Sequence, residues 1–152
     1  MASIGVIGAG TWGTALAVLL HNNGHQTAIW SALPEEIEEM TKTRRHKNLP
    51  EITIPEEIFL TADLEEAMAC KDVLIMAVPS VFVRSTAARM KPFLKKGQLV
   101  VDVAKGIEEG TLKTLSQVIE EELPEAETAI LSGPSHAEEV SRGLPTTCVV
   151  GA

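Results

Sequence analysis

Gly8-Ala9-Gly10-Thr11-Trp12-Gly13 stands directly after the apolar run Ser3-Ile-Gly-Val-Ile7 and opens an Ala- and Leu-rich segment that reaches Asn22. A GxGxxG alone says little, but between a strand and a helix it has a physical reading. Gly8 can take the backbone angles of a tight turn, Gly10 lets the main chain approach a pyrophosphate, and Gly13 lets the helix pack closely on the strand. The free N–H groups at the helix start then face an anion. A chain that begins this way is committed to a strand–loop–helix unit, which continues most readily into a parallel sheet.

The rest of the sequence keeps that rhythm. Strands are expected over 3–7, 26–30, 59–60, 72–78, 98–103, 128–131 and 146–150. Helices are expected over 12–22, from Pro34 to about Thr43, and over 64–69, 81–90, 111–122 and 134–141. Asn23-Gly24 reads as a helix end, Asp63 and Ser80 as helix caps, and Leu112, Leu115, Val118 and Ile119 as one apolar stripe. Short strands alternating with helices predict an α/β fold: a doubly wound, mostly parallel sheet with helices on both faces, as one domain over 1–152. In such a sheet the loops after the strand C-termini gather on one edge, and ligands bind there.

Composition removes several alternatives. An apolar fraction of 45% supports a real core rather than disorder. A net charge of −8 argues against a nucleic-acid partner, and the acidic runs Glu35-Glu36, Glu38-Glu39 and Glu120-Glu121-Glu122 read as solvated helix faces. Cys70 and Cys148 form no metal-ligand spacing and read as buried thiols in a reducing compartment. No metal site is expected. No apolar stretch reaches the ~18 residues of a membrane span, and the N-terminus lacks a signal-peptide pattern, so a cytoplasmic location is expected. The chain stops at or just after an apolar run, as a piece of a longer protein would.

The ligand edge supplies the candidate site residues. An acid about 20 residues past the glycine loop would bind the ribose of NAD. Trp30-Ser31-Ala32 stands there instead, so nothing at the strand end repels a 2′-phosphate, Ser31 can hydrogen-bond one, and Arg44, Arg45 and Lys47 can approach from the next loop. The balance favours NADP over NAD. Ala77-Val78-Pro79-Ser80 falls on the nicotinamide side, with Pro79 at the cofactor. Lys105 follows the next strand and can hold a phosphate or polarise a carbonyl oxygen. Gly133-Pro134-Ser135 combines a helix start with a serine hydroxyl. His21, His25 and His46 have no constellation around them, and His136 has no evident partner for acid–base work.

Taken together, Gly8-Ala-Gly-Thr-Trp-Gly-Thr-Ala-Leu-Ala17, Ala77-Val-Pro-Ser80, Ala104-Lys-Gly-Ile-Glu108, Leu131-Ser-Gly-Pro-Ser-His-Ala-Glu-Glu-Val140 and Arg142-Gly-Leu-Pro-Thr146 resemble the bacterial NAD(P)-dependent glycerol-3-phosphate dehydrogenase family. The resemblance covers essentially the whole chain. It implies a Rossmann-type cofactor domain of an enzyme interconverting dihydroxyacetone phosphate and sn-glycerol 3-phosphate, feeding glycerophospholipid synthesis. It implies that Thr11, Trp12 and Ala137 contact the dinucleotide, that Lys105 contacts substrate and lies close to the cofactor, and that Gly133 and Ser135 contact substrate. The family often carries Ser where Thr11 stands and Arg where Ala32 stands. Its members continue into a helical C-terminal domain that supplies the acid–base lysine, so little or no turnover is expected of this piece. The expected partners are a small phosphate substrate and, for the full protein, a second copy of itself. Two other readings share the glycine loop: a reductase of the β-hydroxyacid, sugar-nucleotide or pyrroline-carboxylate type, and a non-catalytic nucleotide sensor.

Overall fold

A computed structural model describes residues 1–152. The elements run β1 (Ser3–Ile7), α1 (Thr11–Asn22), β2 (Gln26–Trp30), α2 (Pro34–Thr43), β3 (Phe59–Thr61), α3 (Leu64–Met68), β4 (Val73–Met76), α4 (Val83–Met90), β5 (Leu99–Asp102), α5 (Leu115–Glu122), β6 (Glu127–Ser132), α6 (Ala137–Ser141) and β7 (Val149–Gly151). The strands form one sheet in the order β3-β2-β1-β4-β5-β6-β7. All neighbours are parallel except β6 and β7.

The sheet is apolar on both faces because helices cover both. Ile4 and Val6 of β1 join Leu16, Ile37, Met40 and Val140 in one core, which α1, α2 and α6 cover. Ile7, Trp30, Leu74 and Met76 join Ala67, Val83, Ala87, Leu115 and Ile119 in the other, beneath α3, α4 and α5. Alternate residues of one strand thus serve opposite layers. The doubly wound architecture read from the sequence is the one observed.

Strand order reverses between β1 and β4. Ile7 is in register with Trp30 on one side and with Met76 on the other. The three strands therefore end level, and the loops after them open side by side into a crevice at the switch point.

Several boundaries differ from expectation. α5 begins at Leu115, not Thr111, because Thr114 forms a capping box with Gln117. Leu112 lies outside the helix with φ 59° and is exposed, so it drops out of the predicted stripe. α6 begins at Ala137, which leaves Pro134 and Ser135 in a tight turn, with the Ser135 N–H donating to the Gly133 carbonyl, rather than in a first helical turn. A 3₁₀ turn, Ser80–Phe82, precedes α4, and the Ser80 side chain caps nothing. The last strand is displaced from 146–150 to Val149–Gly151 and runs antiparallel at the sheet edge. Both cysteines are exposed rather than buried. Cys70 leaves α3 at a positive φ of 56°, and Cys148 precedes the exposed edge strand.

Candidate functional site

Two clefts open along the C-terminal edge of the sheet. One, about 420 Å³, lies on the β2 side and is walled by Gly8–Gly10, Trp30–Leu33, Glu36, Phe82 and Arg89. The other, about 460 Å³, lies on the β5–β6 side and is walled by Thr11, Trp12, Val103–Lys105 and Ser135–Glu138. Gly10 and Ala77–Pro79 border both. The clefts are two halves of one groove that crosses the switch point.

The glycine loop is built by close approach. A Cβ on Gly8, whose φ is 131°, would lie 2.6 Å from the Ala77 carbonyl carbon, and one on Gly13 would overlap the Gly8 carbonyl oxygen. Packing accounts for both. Gly10 differs: a Cβ there meets no protein atom within 4 Å. Its position at the start of α1, where free N–H groups converge, is the one place in the loop where a bare backbone serves the groove rather than the fold. His46 supports this loop from outside. It is 4% exposed, and its Nε2 lies 3.0 Å from the Ala9 carbonyl oxygen while Nδ1 accepts the Asn48 N–H. The first contact therefore uses an Nε2–H. A histidine that has no partners in the sequence is a brace in the fold.

Lys105, Gly133 and Ser135 meet, as the sheet order requires of loops after adjacent strands. The Lys105 ammonium donates to the Ser135 carbonyl at 2.9 Å and the Gly133 carbonyl at 3.2 Å, with the Ser135 hydroxyl at 3.4 Å. It stands 5.9 Å from the centre of the Trp12 ring, whose Nε1–H donates to the Val103 carbonyl. Gly133 has a structural role of its own, since a Cβ there would come within 2.5 Å of the Thr147 carbonyl oxygen. Ala137 and His136 line the same cleft, His136 as an exposed residue at the start of α6.

A charge cluster unseen in the sequence fixes the Lys105 loop. Arg84 of α4 donates to both oxygens of Glu108 at 2.7 and 2.8 Å, and also to Glu121 and Glu122 of α5. The Arg84 hydrogen bond holds the Glu108 carboxyl down at about 2. Planar fork-to-carboxylate pairing of this kind sets geometry as well as charge. Two of the three Glu residues read as a solvated run are therefore tethers, which no local spacing could reveal.

The β2 side departs most from expectation. Ser31 is 5% exposed; its hydroxyl donates to Glu36 Oε2 at 2.5 Å and accepts the Leu33 N–H. Arg44 turns away and donates to the carbonyls of Pro55 and Ile58. Arg45 donates to the Pro50 carbonyl. Lys47 borders an adjoining hollow, with Glu35 and Glu39, that shares Leu33 and Glu36 with the β2-side cleft.

Asp102 ends β5 just below the Lys105 loop and is 4% exposed. Burial pushes its carboxyl up to about 6, while the Ala104 N–H, donating at 3.0 Å, works the other way. The folded pKa lies above the unfolded value of about 3.9, so stability falls as pH rises from about 4 to about 6 and stays lowered above that. Asp102→Asn keeps an acceptor for Ala104 and removes the buried charge. It should raise unfolding free energy near pH 7.5 by on the order of 1–2 kcal/mol and leave it unchanged below about pH 4, measured by denaturant melts across pH.

Residues 3–152 match the family described as NAD-dependent glycerol-3-phosphate dehydrogenase N-terminus. The NAD(P)+ glycerol-3-phosphate dehydrogenase of Agathobacter rectalis is 54% identical over 153 aligned residues that take in 100% of this chain and 46% of that protein. That of Fusobacterium nucleatum is also 54% identical, over 100% of this chain and 46% of its own length. The crystal structure of glycerol-3-phosphate dehydrogenase from Coxiella burnetii superposes with a TM-score of 0.92 at 31% identity, covering 98% of this chain and 46% of that one. The chain thus spans about half the length of the relatives it matches.

Proposed function

The chain belongs to the glycerol-3-phosphate dehydrogenase family, as its N-terminal part, and from that premise we propose that it is the dinucleotide-binding half of an enzyme interconverting dihydroxyacetone phosphate and sn-glycerol 3-phosphate. The observation that carries this reading is the single groove across the switch point, with the unobstructed Gly10 backbone at its middle. The residues present fit an extended dinucleotide. Gly8, Gly10 and Gly13 form the pyrophosphate turn, with Thr11 and Trp12 at the start of α1. The cleft on the β2 side suits the adenosine half and the cleft beside Pro79, Trp12, Lys105 and Ala137 the nicotinamide half.

A bound nicotinamide cofactor supplies or takes up the hydride. The chain's own residues orient and neutralise. Lys105, held at the lip of the second cleft, meets the substrate's carbonyl oxygen or phosphate, and Gly133 and Ser135 complete that anionic corner. Arg84 and Glu108 keep the Lys105 loop in place, and His46 keeps the glycine loop in place. The remaining half of a full-length protein, a helical domain by family pattern, would close the groove and bring the acid–base lysine. Supply of glycerol 3-phosphate to glycerophospholipid synthesis, a cytoplasmic location and a homodimeric full-length protein belong to the same proposal. What supports the location is that no helix is long and apolar enough to cross a membrane.

The test uses two proteins. The 152-residue chain should bind NADH or NADPH and turn over nothing, while the full-length protein should reduce dihydroxyacetone phosphate in preference to β-hydroxyacid, sugar-nucleotide and pyrroline substrates. Turnover by the 152-residue chain alone, or a full-length protein that prefers another carbonyl, would refute the assignment.

A further inference from the structure

We infer that Glu36 makes this groove one for NAD rather than NADP, by accepting the 2′-hydroxyl of the adenosine ribose and excluding a 2′-phosphate. The inference rests on the dinucleotide reading above. An acid at the end of β2 ordinarily does this work, and here the strand ends in Trp30-Ser31-Ala32. The carboxylate comes instead from the first turn of α2, six positions past the strand, and folds back onto Ser31.

The hydrogen bonds settle what Ser31 has left to offer. Its proton goes to Glu36 Oε2 at 2.5 Å, and the Leu33 N–H occupies its oxygen at 3.1 Å. A hydroxyl committed on both counts has no proton for a phosphate. Glu36 keeps Oε1 free of protein donors and lines the adenosine-side cleft. The α2 N-terminus stabilises the negative charge there. A ribose hydroxyl can donate to Oε1, whereas a 2′-phosphate would bring a second anion against it.

The nearby cations do not reverse this. Arg44 is bound to the Pro55 and Ile58 carbonyls and Arg45 to the Pro50 carbonyl. Arg45 and Lys47 border the neighbouring hollow of about 250 Å³, where the three carboxylates Glu35, Glu36 and Glu39 outnumber these two cations. Arg89 also walls this cleft from α4, but its guanidinium lies over the Trp30 ring, 5.2 Å from the centre, and makes no hydrogen bond or ion pair with Ser31 or Glu36. The group anchored at the end of β2 is the carboxylate.

Titrating the 152-residue chain with NADH and with NADPH, followed by the fluorescence common to both, compares the two directly. NADH should bind at least about tenfold more tightly, equivalent to about 1.4 kcal/mol. Glu36→Gln preserves the shape and the Ser31 contact but not the charge. It should weaken NADH about threefold, tighten NADPH about threefold, and bring the two within about threefold of each other. 5′-AMP against adenosine 2′,5′-bisphosphate on the unaltered chain makes the same comparison without a variant, and 5′-AMP should bind more tightly. NADPH or the bisphosphate binding as well as its counterpart overturns this inference alone, as does an unchanged NADH-to-NADPH ratio in folded Glu36→Gln. A folded chain that binds neither NADH nor NADPH overturns the dinucleotide reading and this inference with it.

Discussion

Gly10→Asp is expected to remove dinucleotide binding while leaving the fold as stable as before, or slightly more so. Gly10 precedes α1 with φ −67° and ψ −179°, extended angles that any residue adopts. An added Cβ meets no protein atom within 4 Å. Aspartate is moreover a better helix N-cap than glycine, by a few tenths of a kcal/mol. Packing thus gives no reason for glycine here, in contrast to Gly8 and Gly13, where a side chain would strike the Ala77 or Gly8 backbone. If the groove takes a pyrophosphate at this point, an aspartate carboxylate both fills the approach and repels the anion. A unit charge at about 4 Å under an effective dielectric of about 20 is worth about 4 kcal/mol, so a loss of about 10²–10³-fold is expected. Thermal unfolding and NADH titration, run together, separate the two effects. Retained affinity in a folded Gly10→Asp chain would move the cofactor away from the glycine loop.

The reasons some features were legible in the sequence and others were not are physical. A strand buried on both faces must be apolar throughout, so Ile4–Ile7, Ala28–Trp30 and Leu74–Met76 announce themselves. Parallel crossovers then put the strand-end loops on one edge, and the observed adjacency of β5 and β6 brings Lys105 and Ser135 together there. The start of α5 misled because Leu112 continues the apolar period, although Thr114 and Gln117 carry a readable capping box. Gly133-Pro134 misled in the same direction, since Pro134 sits in a tight turn closed by the Ser135 N–H on the Gly133 carbonyl rather than opening α6. His46 at the Ala9 carbonyl, Arg84 at Glu108 and Glu36 at Ser31 depend on tertiary approach or on a turn's return path. Each looks like an ordinary polar surface residue in the linear chain. Glu36 was hidden further because it sits in an acidic run whose other members do face solvent.

In the full-length protein, Lys105→Met should lower kcat/KM for dihydroxyacetone phosphate by about 10²–10³-fold, with little change in stability. Lys105 is exposed, and its long stem reaches across from the β5 loop to the β6 loop. Its ammonium is already fixed by two backbone carbonyls, at 2.9 and 3.2 Å, before any substrate arrives. Developing negative charge on a substrate oxygen is stabilised most by a cation that need not reorganise at that moment. Asp102↔Ile130 is the last paired position of β5 against β6, so the backbone holds the two loops at a set spacing. Lys105→Arg should recover little, because a planar five-donor fork does not reproduce a point charge set between those two carbonyls. Ser135→Ala should cost far less than Lys105→Met, since it leaves both carbonyl contacts intact. In the 152-residue chain, Lys105→Met should change the NADH dissociation constant by no more than about threefold, about 0.7 kcal/mol, because the charge acts on substrate rather than on cofactor. Steady-state kinetics across the three variants, with that titration beside them, checks the assignment. A Lys105→Met enzyme with wild-type kcat/KM would leave the corner formed by Lys105, Gly133 and Ser135 as a structural joint between β5 and β6.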